Sequence, residues 1–253
     1  MFMAQVLGIS QSTKALLQQL PMLEGYEFSS WKEIKKFYTQ FPKILEKRIL
    51  EETRELEDKL PLKKKNSNRK KKKFQAIINK RLKPYYRAHE ILSNNQETFA
   101  GAVGEEAVIG VLSKLPDSYH VFNDITLALP QTVFWSTHQE HIKSAQIDHL
   151  VIGPSGVFII ETKNWRPLTL KDTKFLPHLQ VARAGFIINS LTANKFGTLP
   201  VYTTVVTLAT LPQIKYPGVD QISIRQLTPH ILRRTKKLDS KKIEKIVSWL
   251  KKQ

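Results

Sequence analysis

The 253-residue sequence contains no cysteine. This absence excludes disulfide scaffolds, thiolate zinc sites and thiol nucleophiles, and it is typical of an intracellular, cytoplasmic protein. No apolar run reaches the roughly 18 residues that a membrane helix needs, so we expect no membrane partner. The opening MFMAQVLGISQSTK lacks both a basic n-region and a continuous apolar stretch, so no secretory signal is predicted.

Acidic residues are scarce: 22 Asp and Glu stand against 40 Lys and Arg, which gives a net charge of +18. The excess is uneven, because residues 1–100 carry a net charge of +10, residues 101–200 carry none and residues 201–253 carry +8. A neutral middle between two cationic segments predicts a polyanionic partner, with nucleic acid ahead of an acidic membrane or protein. We expect DNA rather than RNA, at the nucleoid or, in a eukaryote, in the nucleus.

The first part of the chain, residues 1–93, is predicted to be a basic helical arm. One helix is expected from Lys14 to Leu60, ended by Pro61, and a second over about 74–92. Between them lies a run in which 8 of 11 positions, 63–73, are basic, and we expect it to be flexible. Its candidate nucleic-acid ligands are Lys63, Lys64, Lys65, Arg69, Lys70, Lys71, Lys72 and Lys73. The alternative is a coiled-coil seam, with a homodimer formed through the N-terminal helices.

From residue 94 the pattern becomes that of a mixed α/β domain. A helix is predicted to run to about Leu115, followed by the strand-like runs YHVFNDITLAL, AQIDHLVIG and GVFIIETK, a helix over about 177–192, and a strand-like VYTTVVTLA. The sequence therefore predicts a basic arm over 1–93, an α/β core over 94–232, and a basic amphipathic C-terminal helix within 233–253.

A β-hairpin carries the most informative residues. GPSG at 153–156 separates two apolar runs, and with the turn centred there, paired residues have numbers that sum to 309. Asp148 then faces Glu161, with Lys163 on the same sheet face, whereas His149 points to the other face, where we expect it to pack or to form hydrogen bonds. Two facing carboxylates destabilise a sheet unless positive charge neutralises them. Lys163 supplies one charge and a Mg²⁺ ion would supply the rest.

A third acid comes from the helix before the hairpin. On a helical wheel, Glu105 falls on the apolar face with Ile109 and Leu112, the face that must pack on the sheet. A buried acid without a partner is unfavourable, so Glu105 is a candidate functional residue. Gly101 and Gly104 lie on the same side and would let the helix approach a neighbouring backbone closely.

Taken together, these motifs resemble the nuclease-related domain (NERD) family of the PD-(D/E)XK nuclease superfamily. The resemblance covers roughly residues 98–232. It rests on GxxGE at 101–105, IDH at 147–149, GVFIIETKN at 156–164 and PxxQ at 177–180. The chain departs from the pattern in having Ile147 where the superfamily name has Pro, a short segment 165–176, and Leu176 where the family usually has Asn before the Pro.

The resemblance implies both a fold and a site. The fold is a PD-(D/E)XK, restriction-endonuclease-like core in which helices flank a mixed sheet. In the implied catalytic site Asp148 and Glu161 hold Mg²⁺ (or Mn²⁺), Glu105 is a third acidic ligand or a water-mediated contact, Lys163 positions the attacking water and Gln180 supports the site. The function is metal-dependent hydrolysis of phosphodiester bonds in DNA or RNA. The alternative is a catalytically inactive core whose basic arms bind nucleic acid or a partner protein.

Overall fold

A computed structural model describes residues 3–20, 26–58, 68–164, 177–208 and 215–252. The chain divides into two compact units, one made of Met1–Ser12 and Ala100–Gln253 and the other of Thr13–Phe99. The three-part division predicted from the sequence stays a prediction, and the structure adds that residues 3–12 group with the α/β core. Within the described ranges, no helix has both the length and the apolar character needed to cross a membrane.

The core unit is built on a six-stranded sheet with strand order β1-β2-β3-β4-β5-β6. The strands are β1 (Gln5–Leu7), β2 (His120–Trp135), β3 (Glu140–Gly153), β4 (Gly156–Lys163), β5 (Val201–Thr207) and β6 (Val219–Ser223). Strands β2, β3 and β4 form an antiparallel meander. Strand β1 runs parallel to β2, β5 runs parallel to β4, and β6 runs parallel to β5. This mixed sheet confirms the predicted fold class.

Helices cover both faces of the sheet. The α-helices among the described residues are α1 (Gln11–Gln19), α2 (Trp31–Asp58), α3 (Asn68–Asn94), α4 (Gln96–Leu112), α5 (Pro177–Phe196), α6 (Leu227–Leu232) and α7 (Ser240–Leu250). Strand side chains alternate between two apolar layers: Leu150 and Ile159 pack with α5 and α7, whereas Val151 and Phe158 pack with α4 and α6. Both faces of β4 and of the second half of β3 are therefore buried, as the nearly continuous apolar sequence of these segments requires.

The β3–β4 hairpin has the predicted register. Gly153 pairs with Gly156, and the pairing continues in step as far as His149 and Ile160. A side chain at Gly153 would drive its Cβ into the ring of Tyr119, so glycine is the residue that fits. The Tyr119 hydroxyl in turn forms a 2.9 Å hydrogen bond with Ser155 in the turn. These contacts fix the register on which the positions of the acids depend.

The second unit is helical, and the bounds of two predicted helices are wrong in detail. The single helix expected from Lys14 to Leu60 is instead α1 followed by α2, and the helix expected from about residue 74 already begins at Asn68. The flexibility of the run 63–73 stays a prediction. Lys and Arg have high helix propensity, so a helix that is already formed can extend through them. Residues 59–67, including Pro61, lie outside the described residues.

Helices α2 and α3 pack against each other in the same chain. Arg48 Nε donates to the Tyr85 hydroxyl at 2.9 Å, and Arg81 forms ion pairs with Glu52 and Glu55 at 2.8 and 3.3 Å. Residue numbers rise on one helix as they fall on the other, so the two helices are antiparallel. This face of α2 therefore contacts α3 of the same chain.

Candidate active site

The structure brings four of the predicted site residues together. Glu105 from α4, Asp148 from β3 and Glu161 from β4 are all buried, with exposed fractions of 8%, 9% and 3%. Lys163 Nζ lies 2.7 Å from Glu161 Oε1, and its side chain is 27% exposed. The charge of Glu105 influences Asp148, Glu161 and Lys163. Three acids and one ammonium group therefore converge at one end of the sheet.

The sheet is interrupted on both sides of Asp148. The β3–β4 pairing stops at His149–Ile160, and at the next step the Thr162 amide donates to Asp148 Oδ2 at 2.8 Å. On the other side, the β2–β3 pairing passes over Asp124, which has a left-handed backbone with φ of 49°. The predicted Asp148–Glu161 pair is thus absent from the ladder. The Thr162 amide donates its hydrogen bond to the Asp148 carboxylate instead of to a backbone carbonyl of β3.

Burial and mutual repulsion perturb the titration of the acids. Burial raises the pKa of Asp148 well above its ordinary value, and the negative charge of Glu161 raises it further. Burial also raises the pKa of Glu161, although Lys163 opposes the shift. Burial alone would lower the pKa of Lys163, but Glu161 and the other two acids outweigh that effect and raise it. The ammonium group therefore stays charged, and the site carries more acid than its one base can neutralise.

The donor atoms suit one hard divalent cation. Asp148 Oδ2 is used by Thr162 and Glu161 Oε1 by Lys163, whereas no hydrogen bond within the described residues reaches Asp148 Oδ1 or Glu161 Oε2. Mg²⁺ is typically held by one or two carboxylates, with water and substrate phosphate completing its shell. Across the same ranges, no group of three or more His, Asp or Glu side chains has the arrangement of a complete metal site. The chain thus fits a two-carboxylate site that needs water and substrate as further ligands.

Glu105 differs from the other two acids because both of its oxygens are occupied. The Ser12 hydroxyl donates to Oε1 at 2.6 Å, and the Ser12 amide donates to Oε2 at 3.1 Å. Burial nevertheless raises the pKa of Glu105, and the Ser12 bonds oppose the shift. Ser12 was not predicted as a site residue, since it lies 93 positions from Glu105 and no local pattern marks it. Glu105 as a direct metal ligand stays a prediction.

His149 supports the site from the opposite sheet face. It is completely buried, and its ring nitrogens lie 2.8 Å from Asn123 Oδ1 and 3.1 Å from Thr162 Oγ1. Asn123 Nδ2 donates to the Gly8 carbonyl, so Oδ1 is left to accept from His149 Nδ1, and Nε2 accepts from Thr162. Burial lowers the pKa of His149 to about 3, which keeps the ring neutral. The expectation that His149 packs and forms hydrogen bonds is confirmed.

Two further residues complete the surroundings. Gln180 is half-buried near the start of α5, a helix that packs on β3, β4 and β5, but it makes no hydrogen bond within the described residues. Its supporting role stays a prediction.

Asp124 was missed by the sequence reasoning; its charge raises the pKa of Glu105, and its Oδ1 accepts from Gln146 at 2.8 Å. A non-glycine residue at positive φ has no reliable sequence signal.

The predicted nucleic-acid ligands fall partly outside the described residues. Lys63, Lys64 and Lys65 fall outside the described residues, and only the helical backbone is described for Arg69, Lys70 and Lys71. Lys72 and Lys73 are exposed on α3. Their binding to nucleic acid stays a prediction.

The structure also reveals a basic surface that the sequence reasoning did not single out. Lys32, Lys35 and Lys36, which we call the α2 lysine patch, are exposed on one side of α2 and line a shallow groove with Trp31 and Thr39. Within the described residues, none of the three lysines forms an ion pair, in contrast to Arg81. Their spacing was visible in the sequence, but their lack of acidic partners was not.

One family model matches the segment of the chain that contains the site. Residues 100–208 match the family described as "Nuclease-related domain". An uncharacterised protein from Bacillus anthracis is 35% identical over 78 residues, which is 30% of this chain and 32% of that protein. The chain thus matches about a third of the length of that curated relative.

Among solved structures, the crystal structure of protein VC1899 from Vibrio cholerae matches over 93% of this chain and 56% of its own, with 12% identity and a TM-score of 0.28. A likeness at that score supports no conclusion about fold or function. The family match, in contrast, spans Glu105, Asp148, Glu161 and Lys163, the residues that converge in the structure. Residues 100–208 of this chain are therefore a nuclease-related domain with a PD-(D/E)XK-like core.

Proposed function

We propose that this protein is a Mg²⁺-dependent nuclease that hydrolyses phosphodiester bonds of DNA, with RNA as the alternative substrate and Mn²⁺ as an alternative ion. The observation that carries the proposal is the cluster of buried Asp148 and Glu161 with partly exposed Lys163 inside a nuclease-related domain. Two carboxylate oxygens in this cluster have no hydrogen-bond donor among the described residues, and the single ammonium group leaves an excess of negative charge.

Asp148 and Glu161 would hold the cation through these oxygens. Thr162 fixes the Asp148 carboxylate from the backbone, and Lys163 fixes that of Glu161, so neither side chain has to be ordered when the cation arrives. The bound divalent cation would lower the pKa of water and stabilise the charge that develops on the scissile phosphate. Because the acids are buried, their electrostatic interactions are stronger than they would be in water.

Lys163 is the group we expect to act on the reacting atoms. Its Nζ is held by Glu161, yet the side chain is 27% exposed, so the ammonium group can also reach bound substrate. It would donate a hydrogen bond to the attacking water or to an equatorial phosphate oxygen as negative charge develops there. Lysine suits this task because its compact ammonium group carries three donors.

The charge distribution supports a nucleic-acid substrate. Among the described residues, the α2 lysine patch presents three ammonium groups without an ion-pair partner, whereas Lys47 and Arg48, further along α2, contact acids or a tyrosine. Each phosphate that a protein neutralises releases counterions, which gives affinity without sequence preference. The basic run 63–73 would add to this affinity.

A cleavage assay tests the proposal. Purified protein is incubated with labelled single- and double-stranded DNA and RNA, in the presence of Mg²⁺, Mn²⁺ or EDTA. We expect cleavage that EDTA and the Asp148→Asn change abolish, while Asp117→Asn, at an exposed acid outside the site, retains it. Cleavage that persists in the Asp148→Asn variant would reject the assignment.

A second candidate function is an inactive binding module. The occupied oxygens of Glu105 and the lack of a complete three-acid site among the described residues favour it. It predicts nucleic-acid binding that weakens with salt but ignores EDTA and the Asp148→Asn change. A cytoplasmic location and a homodimer through the N-terminal helices also stay predictions; the mass in solution tests the homodimer.

A further inference from the structure

The first residues of the chain are an integral part of the α/β core. Strand β1 pairs in parallel with β2, and the Ala4 amide donates to the Leu115 carbonyl at 2.8 Å. Gly8 then turns the chain with a φ of 81°, and a Cβ there would lie 2.7 Å from the Asn123 carbonyl oxygen. The path from β1 to α1 is thus tightly defined, although it lies far ahead of the matched segment 100–208.

This path ends on two acids of α4. Ser10 is buried and its hydroxyl donates to Glu106 Oε1 at 3.0 Å. Ser12, two residues further on, donates to Glu105 through both its hydroxyl and its amide. That amide belongs to the first turn of α1, where backbone N–H groups have no partner within the helix and favour a negative charge. The start of α1 therefore holds the Glu105 carboxylate from two directions.

Gly101 makes this contact sterically feasible. It lies one turn before Glu105 on α4, and a Cβ at this position would come within 2.8 Å of the Ser12 hydroxyl oxygen. An alanine would therefore push the Ser12 side chain aside without meeting any backbone atom of β1 or α1 at a comparable distance. Gly110 on the same helix faces no atom within 4 Å. Alanine at position 101 should therefore displace the Ser12 side chain, whereas alanine at position 110 should not, so Gly110→Ala is a matched control for Gly101→Ala.

We propose that Ser12 is a positioning residue of the active site, acting through Glu105, and that the segment 3–12 belongs to the catalytic unit. This inference rests on the proposed function. Glu105 is buried, and its charge repels those of Asp148 and Glu161, so without a donor its carboxylate would turn away from them. Ser12 holds it in one orientation, with its charge directed to the cluster that binds the cation.

The test measures Mn²⁺ binding by calorimetry alongside kcat and KM for cleavage. The variants are Ser12→Ala, Ser12→Thr, Gly101→Ala and Gly110→Ala. Residues that orient the groups around a metal typically contribute 10- to 100-fold to affinity or activity. We expect Ser12→Ala and Gly101→Ala to weaken Mn²⁺ binding or lower kcat by about tenfold or more, with KM little changed, whereas Ser12→Thr, which keeps both donors, and Gly110→Ala stay within about twofold of the wild type.

The outcomes separate this inference from the proposed function. If the wild type binds Mn²⁺ and Ser12→Ala and Gly101→Ala match it in affinity and kcat, Ser12 is only structural and the inference is overturned. The inference is also overturned if Ser12→Thr loses as much Mn²⁺ affinity or kcat as Ser12→Ala, or if Gly110→Ala loses as much as Gly101→Ala. If the wild type neither binds Mn²⁺ nor cleaves any nucleic acid, the proposed function itself fails, and the positioning role fails with it.

Discussion

Replacing Asp148 by asparagine should stabilise the metal-free protein while abolishing its response to Mg²⁺. The change removes a buried carboxylate whose pKa is raised by burial and by the charge of Glu161, and it keeps the shape of the side chain. The asparagine side chain would still accept the Thr162 amide through its carbonyl oxygen, so the one hydrogen bond made by Asp148 among the described residues survives. The perturbation is therefore almost purely electrostatic.

The size of the expected stabilisation follows from the linkage between proton binding and folding. Each unit by which folding raises the pKa of an acid reduces stability at high pH by about 1.4 kcal/mol. We therefore expect Asp148→Asn to gain about 1–3 kcal/mol at pH 8 in EDTA, and each kcal/mol raises Tm by about 2–4 °C in a chain of this size.

The pH dependence has a defined sign. Because the pKa of Asp148 is raised in the folded state, the folded protein binds a proton that the unfolded chain has already lost, over the window from 3.8 upward to the raised value. Wild-type stability therefore falls as the pH rises through that window, and the advantage of Asp148→Asn should grow from pH 4 to pH 8. Mg²⁺ at 100 times its Kd should add about 2.7 kcal/mol to the wild type and nothing to the variant.

Scanning calorimetry in EDTA and in Mg²⁺, at pH 4, 6 and 8, measures these differences. Asp117→Asn controls for the loss of one negative charge, since Asp117 is exposed. An Asp148→Asn protein that is less stable than the wild type at pH 8 in EDTA would refute the reasoning. A difference that does not vary with pH would refute it as well.

Three further outcomes follow from the structure. Lys163→Met should lower kcat by about 10²–10³-fold while leaving the Kd for DNA in EDTA unchanged, because it removes a donor to the developing charge rather than a binding contact; unchanged kcat would contradict this role. Neutralising the α2 lysine patch with glutamines should reduce the slope of log Kd against log salt by about 2–3 in fluorescence anisotropy. The matched control, on exposed cations of α3, is K80Q/K83Q/R87Q, and an equal loss there would show that only net charge matters. Gly153→Ala should destabilise the protein by about 1–3 kcal/mol in urea denaturation, because its Cβ would meet the Tyr119 ring; a neutral change would contradict the packing.

The sequence predicted the parts of the site that local patterns encode. A GPSG turn between two apolar runs determined the hairpin register, and alternation then placed Asp148 and Glu161 on one face. The helical wheel placed Glu105 on the apolar side of α4, where it is indeed buried. These features depend on residues close to each other in the chain.

The remaining features depend on contacts between distant segments. A three-residue strand such as β1 shows no periodicity, and the bond from Ser12 to Glu105 joins positions 93 apart. Whether a lysine is paired depends on the neighbouring helix, so α2 and α3 had to be placed before the α2 lysine patch could be recognised. The Thr162–Asp148 bond likewise follows from the end of a β-ladder, which side-chain alternation cannot predict.

Crystals grown with Mn²⁺ and analysed at an anomalous wavelength give the most direct test that the Asp148–Glu161 pair holds a divalent cation. We expect one strong anomalous peak within bonding distance of Asp148 Oδ1 and Glu161 Oε2, and no peak at this place in crystals of Asp148→Asn. Fully occupied Mn²⁺ elsewhere, with these two oxygens bonded to protein groups instead, would contradict the account.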